Sequence, residues 1–345
     1  MSITIKDVAK AAGVSTATVS KVINNSYEIS SATSEKVKKI IKELGYSPNA
    51  RAQNFAKQKT KKIIFLANLY QGIGYENPHM FEILSGIEKP VSEKGYTLCL
   101  RNADTTSASE IAKQIIANHS ADGLIIHASV ISKELDEIIT EESFPHIVIG
   151  TPDFKSHFCW IDSNNQIAGK IAASHLIKCG YRKIAFIGGE KKDKISEHRL
   201  KGVMDALSES NITDLSDIRY GDSTCQSAYV QTEMLLYNYQ NRIDSIICAN
   251  NYIAYGCVNA LENNNIKIPL DIAVMTFDDF PFSKIFNTKM TVVNIDMFDM
   301  GIQAGNMILS KIKKPNLYFQ SYTTLPQLIV RESTKKIAAH HKLEK

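Results

Sequence analysis

The chain has 345 residues, which is long for a single hydrophobic core, so two or three domains are expected. Its net charge of +4 hides an asymmetry: residues 1–62 hold 12 Lys/Arg and 4 Asp/Glu, whereas the other 283 residues hold 28 and 32. A basic head on a mildly acidic body is typical of a module that binds phosphates. Composition alone leaves DNA, RNA and an anionic membrane open as partners.

Cysteine usage and hydropathy restrict the compartment. The six cysteines are scattered without a CxxC pair, which favours buried thiols in a reducing cytosol over a disulfide framework or a zinc site. The N-terminus lacks the apolar stretch of a signal peptide, and no run approaches the roughly 20 apolar residues of a membrane span. We therefore expect a cytoplasmic protein with no membrane partner.

Residues 4–25, TIKDVAKAAGVSTATVSKVINN, predict two short helices joined by a tight turn. Thr4 and Asp7 have the spacing of an N-terminal capping pair. Gly13 can adopt the positive φ that the break needs, and Ser15 can cap the second helix.

The second predicted helix has two chemically different faces. One face is apolar and consists of Val19, Val22 and Ile23. The other carries small and hydrogen-bonding residues, namely Thr16, Ala17, Ser20, Lys21 and Asn24. Such residues near the start of a second helix suit a recognition helix that enters a DNA major groove. The alternative is an amphipathic hairpin that only packs on a core, and the basic charge of residues 1–62 argues against it.

A third helix and a basic linker follow. Ser30 is a plausible cap for apolar residues at helical spacing, and Gly45 ends the helix. The turn Tyr46-Ser47-Pro48-Asn49 opens a polar segment up to residue 62 whose one large apolar residue is Phe55. We interpret this segment as a hinge.

From residue 62 onward, apolar strands alternate with helical patterns. The predicted strands are IIFLANL, YTLCLRNA, DGLIIHA, HIVIGT, KIAFIGG, SIICAN and AVMTFDD. The predicted helices lie near 78–94, 108–119, 132–142, 165–179, 194–210, 224–240 and 250–264. This alternation predicts two successive parallel α/β lobes with a ligand cleft at the carboxyl ends of their strands.

The whole chain resembles the lactose-repressor/galactose-repressor family of bacterial transcription regulators. The resemblance rests on the segments TIKDVAKAAGVSTATVSKVINN, ELGYSPNARAQNF, NPHMFEILSGIE, HLIKCGYRKIAFIGG, EHRLKGVMDAL, IPLDIAVMTFDD and LPQLIVREST. It implies an α-helical helix-turn-helix domain over 1–47, a hinge over 48–61, and a tail over 335–345. Residues 62–334 would form a two-lobed, doubly wound α/β domain of the periplasmic-binding-protein type. Its first lobe takes 62–161 with 293–318, and its second takes 162–292 with 319–334.

The resemblance implies a homodimer on a pseudo-palindromic operator of double-stranded DNA. Thr16, Ala17 and Lys21 match the main base-reading positions of the family. The other implied DNA contacts are Thr4, Ser15, Thr18, Ser20, Asn24, Tyr46, Asn49, Arg51, Ala52 and Phe55. Lys21 can donate to guanine, with a solvated or phosphate-bound lysine as the alternative. This base-reading set is chemically modest, so we expect the hinge and DNA shape to add specificity.

The implied effector is a small carbohydrate, a sugar or sugar phosphate, bound between the lobes. Arg199, Asn250 and Asp278 match the family's ligand contacts in the second lobe, and Asp162 in WIDSNN matches another. The alternatives are a structural ion pair for Arg199 with Asp278 and a helix cap for Asn250. His79 and Met80 stand where the family usually has two aromatic residues, so we expect them to alter ligand choice.

Two further departures concern the second lobe. Ser223 stands where relatives often have an aromatic residue that stacks on the ligand, which favours a carbohydrate over a flat purine; Trp160 or Phe280 could stack instead. Asn251 replaces the aspartate that usually follows Asn250. This departure weakens the inference that this edge of the site contacts the ligand as it does in the family.

No catalytic or metal constellation is visible. His175 and His198 lie on predicted helices and lack a ligand partner at helical spacing, so surface or satisfied roles are expected. The GIG at 72–74 lacks the remainder of a dinucleotide loop. We therefore predict a regulator, most simply a repressor, that is not an enzyme and needs no cofactor. A solute-binding protein and a regulator controlled by a protein partner are the alternatives, and the tail lacks the heptads of a tetramerisation helix.

Phe55 replaces the usual leucine wedge of the hinge, and aromatic residues can also wedge between base pairs. We expect Phe55→Ala to weaken operator binding strongly while ligand binding is unchanged, as measured by operator titration and ligand titration of both proteins. Equal operator affinity of the two proteins would favour the alternative, in which Phe55 only packs on its partner's hinge.

Overall fold

The computed structural model describes residues 3–23, 29–45, 59–69, 78–212, 215–238, 243–279, 287–315, 317 and 321–335. The chain divides into two compact units, residues 1–62 with 119–122 and residues 63–118 with 123–345. Within the described ranges, no helix has the length and apolar character that a bilayer crossing requires.

The first unit contains three helices, α1 (Ile5–Ala12), α2 (Thr16–Ile23) and α3 (Ser31–Glu43). The predicted caps are confirmed. The Thr4 N–H donates to the Asp7 carboxylate at 2.8 Å, and the Thr18 N–H donates to the Ser15 Oγ at 3.1 Å. Gly13 has φ +66°, as the turn between α1 and α2 requires.

Apolar side chains from all three helices form the core of this unit. Val8, Ala12, Val19, Val22 and Val37 are essentially inaccessible to solvent. Each helix is too short to be stable in isolation, so this shared core holds the helices together.

A single carboxylate fixes the end of the basic segment within the same unit. Asp122 Oδ1 accepts from the N–H and the Oγ1 of Thr60, both at 2.7 Å, and its Oδ2 accepts from the Lys61 N–H at 3.2 Å. Asp122 immediately precedes a strand of the α/β unit, so the linker ends at a defined point of the chain.

The α/β unit begins with alternating strands and helices. They are β1 (Lys62–Ala67), α4 (Pro78–Glu93), β2 (Thr97–Asn102), α5 (Ala108–Ala117), β3 (Gly123–His127), α6 (Lys133–Glu141), β4 (His146–Ile149) and β5 (Trp160–Ser163). A second series contains α7 (Asn165–Lys178), β6 (Ile184–Gly188), α8 (Lys194–Glu209), β7 (Asp217–Tyr220), α9 (Cys225–Asn238), β8 (Ser245–Cys248), α10 (Asn251–Asn263) and β9 (Ala273–Phe277). The last elements are β10 (Thr291–Asn294), α11 (Met297–Lys313), β11 (Ser321–Thr324) and β12 (Gln327–Ile329).

Two six-stranded sheets define the two lobes. The first lobe has the strand order β11-β5-β4-β3-β1-β2 and the second has β12-β10-β9-β8-β6-β7. The second sheet is parallel from β7 to β10, and β12 pairs with β10 in the antiparallel direction. The two-lobed, mainly parallel α/β architecture predicted from the sequence is confirmed.

The chain passes between the lobes three times, and the predicted lobe boundaries need correction. Residues 162–163 belong to β5 of the first sheet, and β11 also joins the first sheet because Tyr322 pairs with Ile161. All of β10 lies in the second sheet. The crossings therefore follow residues 163, 294 and 324, whereas the prediction placed them near 161, 292 and 318.

Close backbone contacts between helices position the second lobe's functional residues. A Cβ on Gly202 of α8 would collide with the carbonyl oxygen of Gln166 in α7, and a Cβ on Gly169 of α7 would collide with the carbonyl oxygen of Arg199. Glycine at both positions lets the two helices approach at the turn of α8 that carries Arg199.

We expect Gly202→Ala to lower the free energy of unfolding by about 1–3 kcal/mol, because the added methyl group overpacks the crossing. This loss occurs although alanine favours an isolated helix by about 1 kcal/mol over glycine. Urea denaturation measures the effect, and Ser208→Ala at an exposed position of the same helix is the control. Unchanged stability of Gly202→Ala would contradict the close approach.

Candidate functional site

The predicted DNA-binding face of α2 is exposed. Thr16, Ala17, Ser20 and Lys21 are accessible to solvent, while Val19 and Val22 on the opposite face are buried. Thr4 and Ser15 are also exposed, and Thr18 is half-buried. The other predicted contacts lie outside the described residues: Asn24, Tyr46, Asn49, Arg51, Ala52 and Phe55. The described part of the unit therefore presents the small and cationic side chains that a recognition helix needs.

A cavity of about 460 Å³ lies between the two lobes of the α/β unit. Four of the predicted ligand residues line it, namely His79, Met80, Asp162 and Arg199. Asp278 lines an adjoining pocket of about 150 Å³ instead, and His79 lines both. The apolar part of its lining includes Ile83, Ile131, Ile149, Ile195, Met297 and Met300. The polar residues that the sequence did not indicate include His127, Thr151, Asp153, Asn165 and Lys194.

Arg199 is the buried centre of the second lobe's contribution, with an exposed fraction of 3%. Its Nε donates to the Asn165 Oδ1 at 2.9 Å, and its Nη1 donates to the Ala249 carbonyl at 2.6 Å. The guanidinium also stacks over the Phe277 ring, 4.2 Å from the centroid. Burial lowers the pKa of Arg199, and the nearby Asp278 carboxylate opposes that shift. These contacts fix the cation at the carboxyl ends of β8 and β9.

Asp278 lies beside Arg199 directly after β9, and it is equally buried. Its Oδ2 is 3.6 Å from the Arg199 Nη2 and 3.6 Å from the His79 Nε2 of the first lobe. Its Oδ1 has no hydrogen-bond partner among the described residues. The residue adopts φ +71°, a sparsely populated conformation that recurs at functional sites. The two roles that the sequence offered for Asp278, an ion pair with Arg199 and a ligand contact, are compatible. One carboxylate oxygen faces the Arg199 guanidinium, and the other has no hydrogen-bond partner among the described residues.

Asn251 explains how the Asp278 turn is held. Its Nδ2 donates to the carbonyls of Phe277 and Asp278, at 3.0 and 3.1 Å. The Asp278 N–H donates to the Val293 carbonyl at 2.9 Å. An aspartate carboxylate at position 251 has no N–H to donate, so the departure noted in the sequence has a structural consequence.

Two residues that are predicted to contact the ligand, Asp162 and Asn250, accept hydrogen bonds from other residues of the protein. The Asp162 Oδ2 accepts from the N–H and Oγ1 of Thr151, at 2.9 and 2.8 Å, while Asp162 lines the cavity. Asn250 instead caps α10, because its Oδ1 accepts from the Ile253 N–H at 2.9 Å. Asn250 is not among the described residues that line the cavity. Asn250 therefore forms the helix cap that the sequence offered as the alternative, and its contact with a ligand stays a prediction.

Histidines contribute more to the cavity than the sequence indicated. Burial lowers the pKa of His79, opposed by Asp278, and desolvation lowers the pKa of His127, opposed by Asp162. Both rings are therefore neutral near pH 7. His198 is exposed and lines the cavity, whereas His175 is structural and lies 2.8 Å from the Thr334 Oγ1. No group of His, Cys, Asp or Glu in the described ranges is arranged to hold a metal ion.

Two of the missed residues could have been found from strand ends. His127 is the last residue of β3, at the edge where ligands of parallel sheets bind. Asn165 follows Asp162 in the same WIDSNN segment and begins α7. Lys194 had no comparable signal in the sequence, because its place at the cavity depends on how the lobes pack.

Comparisons with known proteins place the chain in a family. The family model described as bacterial regulatory proteins, lacI family, matches residues 4–49, and that of the periplasmic binding protein-like domain matches residues 173–334. The HTH-type transcriptional repressor PurR of Histophilus somni (strain 129Pt) is 31% identical over 340 residues, covering 97% of this chain and 99% of the relative. The HTH-type transcriptional regulator RegA of Clostridium saccharobutylicum is 33% identical over 339 residues, covering 97% and 100%.

Solved structures of related regulators share the fold. The complex of the transcriptional regulator CelR with cellobiose has a TM-score of 0.71 at 27% identity, over 96% of this chain and 99% of that one. The lac repressor dimer bound to operator and the anti-inducer ONPF has a TM-score of 0.79 at 22% identity, over 97% and 99%. The chain therefore belongs to the lacI family of bacterial regulatory proteins, and it is a DNA-binding transcriptional repressor controlled by an effector.

We expect Arg199→Ala to lower the free energy of unfolding by about 3–5 kcal/mol, because Asp278 becomes a buried charge without compensation. Chemical denaturation measures the loss. Arg219→Ala, which breaks the more accessible ion pair with Asp217, is the control and should cost at most about 1 kcal/mol. Adding Asp278→Asn to Arg199→Ala should recover part of the loss. Equal stability of the two arginine variants would contradict this assignment.

Proposed function

We propose that a carbohydrate binds in the inter-lobe cavity and controls the affinity of the helical unit for a pseudo-palindromic operator. The observation that carries this proposal is the fixed guanidinium of Arg199, which lines the cavity and lies beside the buried Asp278 carboxylate of the adjoining pocket. Sugar hydroxyls both donate and accept, so they complement this arrangement of acceptor and donor.

The lining of the cavity supports a carbohydrate over a flat aromatic ligand. No Phe, Tyr or Trp occurs among the described residues that line it, and Trp160 is absent from that set as well. The predicted second candidate for stacking, Phe280, lies outside the described residues. Methionine and isoleucine side chains can instead pack against the C–H faces of a sugar ring. The cellobiose in the CelR complex is consistent with this ligand class.

The route from the cavity to the DNA-binding unit follows from the chain path. An effector that contacts His79 of the first lobe and Arg199 of the second favours the lobe arrangement in which both contacts form. Strand β3 begins one residue after Asp122, which anchors the end of the linker, and ends at His127 in the cavity wall. We infer that this strand links effector binding to the linker.

The protein would act in the cytoplasm as a homodimer formed mainly through the α/β unit. The lac repressor in the comparison is a dimer on its operator, and a two-fold dimer matches a pseudo-palindromic site. The exposed face of α2 would enter the major groove, with Thr16, Ala17 and Lys21 facing base edges.

Genomic DNA selection with the purified protein should recover operator sites, and a panel of sugars and sugar phosphates should change binding to those sites.

In the variant Asp278→Asn, we expect the responding sugar to bind about tenfold more weakly or worse, because a hydrogen bond to a charged group is lost. Isothermal titration measures the affinity. Asp271→Asn, on the exposed surface of the same lobe, is the matched control. An effector that binds Asp278→Asn as tightly as the unchanged protein would contradict the proposed site.

A further inference from the structure

The end of the basic linker is held by three hydrogen bonds to one carboxylate. The Asp122 Oδ1 accepts from the N–H and the Oγ1 of Thr60, and its Oδ2 accepts from the Lys61 N–H. The Asp122 N–H donates to the Lys62 carbonyl at 2.8 Å, and the Lys62 N–H donates to the Thr60 Oγ1 at 3.2 Å. We call Thr60, Lys61 and Asp122 the linker clasp. The clasp lies where β1 and β3 begin.

The second lobe has a carboxylate at the equivalent position. Asp244 immediately precedes β8, as Asp122 precedes β3, and its N–H donates to the Lys183 carbonyl at 3.0 Å. Its two carboxylate oxygens accept from the N–H groups of Arg182 and Lys183, at 2.8 and 3.0 Å. Because β6 pairs with β8 in the same register as β1 with β3, Lys183 corresponds to Lys62. A carboxylate that holds the chain entering the first strand is therefore a structural feature of both lobes.

The carboxylate of the first lobe reaches one residue further back along the chain. Asp244 accepts from the N–H of the same residue whose carbonyl accepts its own N–H. Asp122 instead accepts from Thr60 and Lys61, the two residues before Lys62. The Thr60 hydroxyl takes over the Lys62 N–H, and Lys61 adopts φ +58°. A lysine in this sparsely populated conformation persists only when its surroundings fix it, so the clasp sets the backbone direction at this point.

The chain segments that the two carboxylates hold have different functions. Asp244 holds the chain that arrives from α7, a helix of the α/β unit. Asp122 holds the chain that arrives from the DNA-binding helices. Residues that are already fixed in the free protein lose less conformational freedom when DNA binds, so a held linker end favours operator binding.

We propose that the linker clasp is a positioning element for operator binding, because it fixes the direction in which the chain leaves β1 toward the linker. The carboxylate does so through the backbone of Thr60 and Lys61, and the Thr60 hydroxyl completes the arrangement. This inference rests on the DNA-binding role of the chain and holds whichever ligand occupies the inter-lobe cavity.

Two substitutions of Thr60 separate the hydroxyl from the size of the side chain. Thr60→Val removes both hydrogen bonds of the hydroxyl at nearly constant volume, whereas Thr60→Ser keeps them. The probes are the operator sites that genomic selection recovers, titrated with the full chain at one fixed salt concentration. We expect Thr60→Val to bind about tenfold more weakly, as the loss of a hydrogen bond to a charged group implies, and Thr60→Ser to bind within about twofold of the unchanged protein.

A matched pair of carboxylate variants separates positioning from stability. Asp122→Asn and Asp244→Asn each replace a carboxylate oxygen by an NH₂ group, which cannot accept a backbone N–H. Both variants should lose similar resistance to urea, but only Asp122→Asn should weaken operator binding. Hydrogen exchange of the protein without DNA should become at least about tenfold faster at the backbone N–H groups that each carboxylate holds.

Three outcomes would contradict the proposal. Equal operator affinity of Asp122→Asn and Asp244→Asn would overturn it, because the clasp would then only stabilise its lobe. Operator binding of Thr60→Val as tight as that of Thr60→Ser would exclude the hydroxyl from the clasp. Unchanged hydrogen exchange at Thr60 and Lys61 in Asp122→Asn would mean that the carboxylate does not hold the end of the linker.

Discussion

The second lobe's half of the site depends on one buried cation. Arg199 is held from three sides, by the Asn165 amide, the Ala249 carbonyl and the ring of Phe277. These partners come from α7, the end of β8 and the end of β9, so the guanidinium fixes the relative positions of three elements at the carboxyl edge of the sheet. A buried charge is tolerated only when its hydrogen-bonding groups are satisfied, which is why helix α8 must approach α7 at its glycines.

The anionic partner of Arg199 is positioned by the backbone more than by its own carboxylate. The Asn251 amide donates to the carbonyls of the consecutive residues Phe277 and Asp278, and the Val293 carbonyl accepts from the Asp278 N–H. The left-handed conformation of Asp278 is thereby fixed without consuming the side-chain oxygens. One oxygen faces both Arg199 and His79 of the other lobe, at 3.6 Å each. The carboxylate therefore lies where the two lobes meet and is close to one side chain of each.

The features that could be predicted from the sequence are those that depend on neighbouring residues in the chain. The caps at Thr4 and Ser15 and the alternation of strands and helices follow from spacing and apolar patterns, and the structure agrees. The ion pair of Arg199 with Asp278 is the alternative that the sequence offers beside a ligand contact, and the structure contains it. Short strands such as β7, β11 and β12 escaped prediction, because their existence depends on pairing with distant strands. The lobe crossings were misplaced for the same reason. Asn250 shows a further limit: an asparagine after a strand suits both a ligand contact and a helix cap, and only the geometry of α10 shows that it forms the cap.

Under the proposed function, the unsatisfied oxygen of Asp278 would give a small ligand a means to control operator affinity. A buried acceptor without a donor costs about 1–3 kcal/mol, and a ligand hydroxyl that supplied the donor would recover that free energy. Allosteric coupling between two sites typically amounts to about 1–3 kcal/mol as well. Because the oxygen belongs to a residue that contacts both lobes, the recovered free energy depends on the lobe arrangement. One hydrogen bond of this kind is therefore sufficient in magnitude to shift the equilibrium between lobe arrangements, and with it the operator affinity.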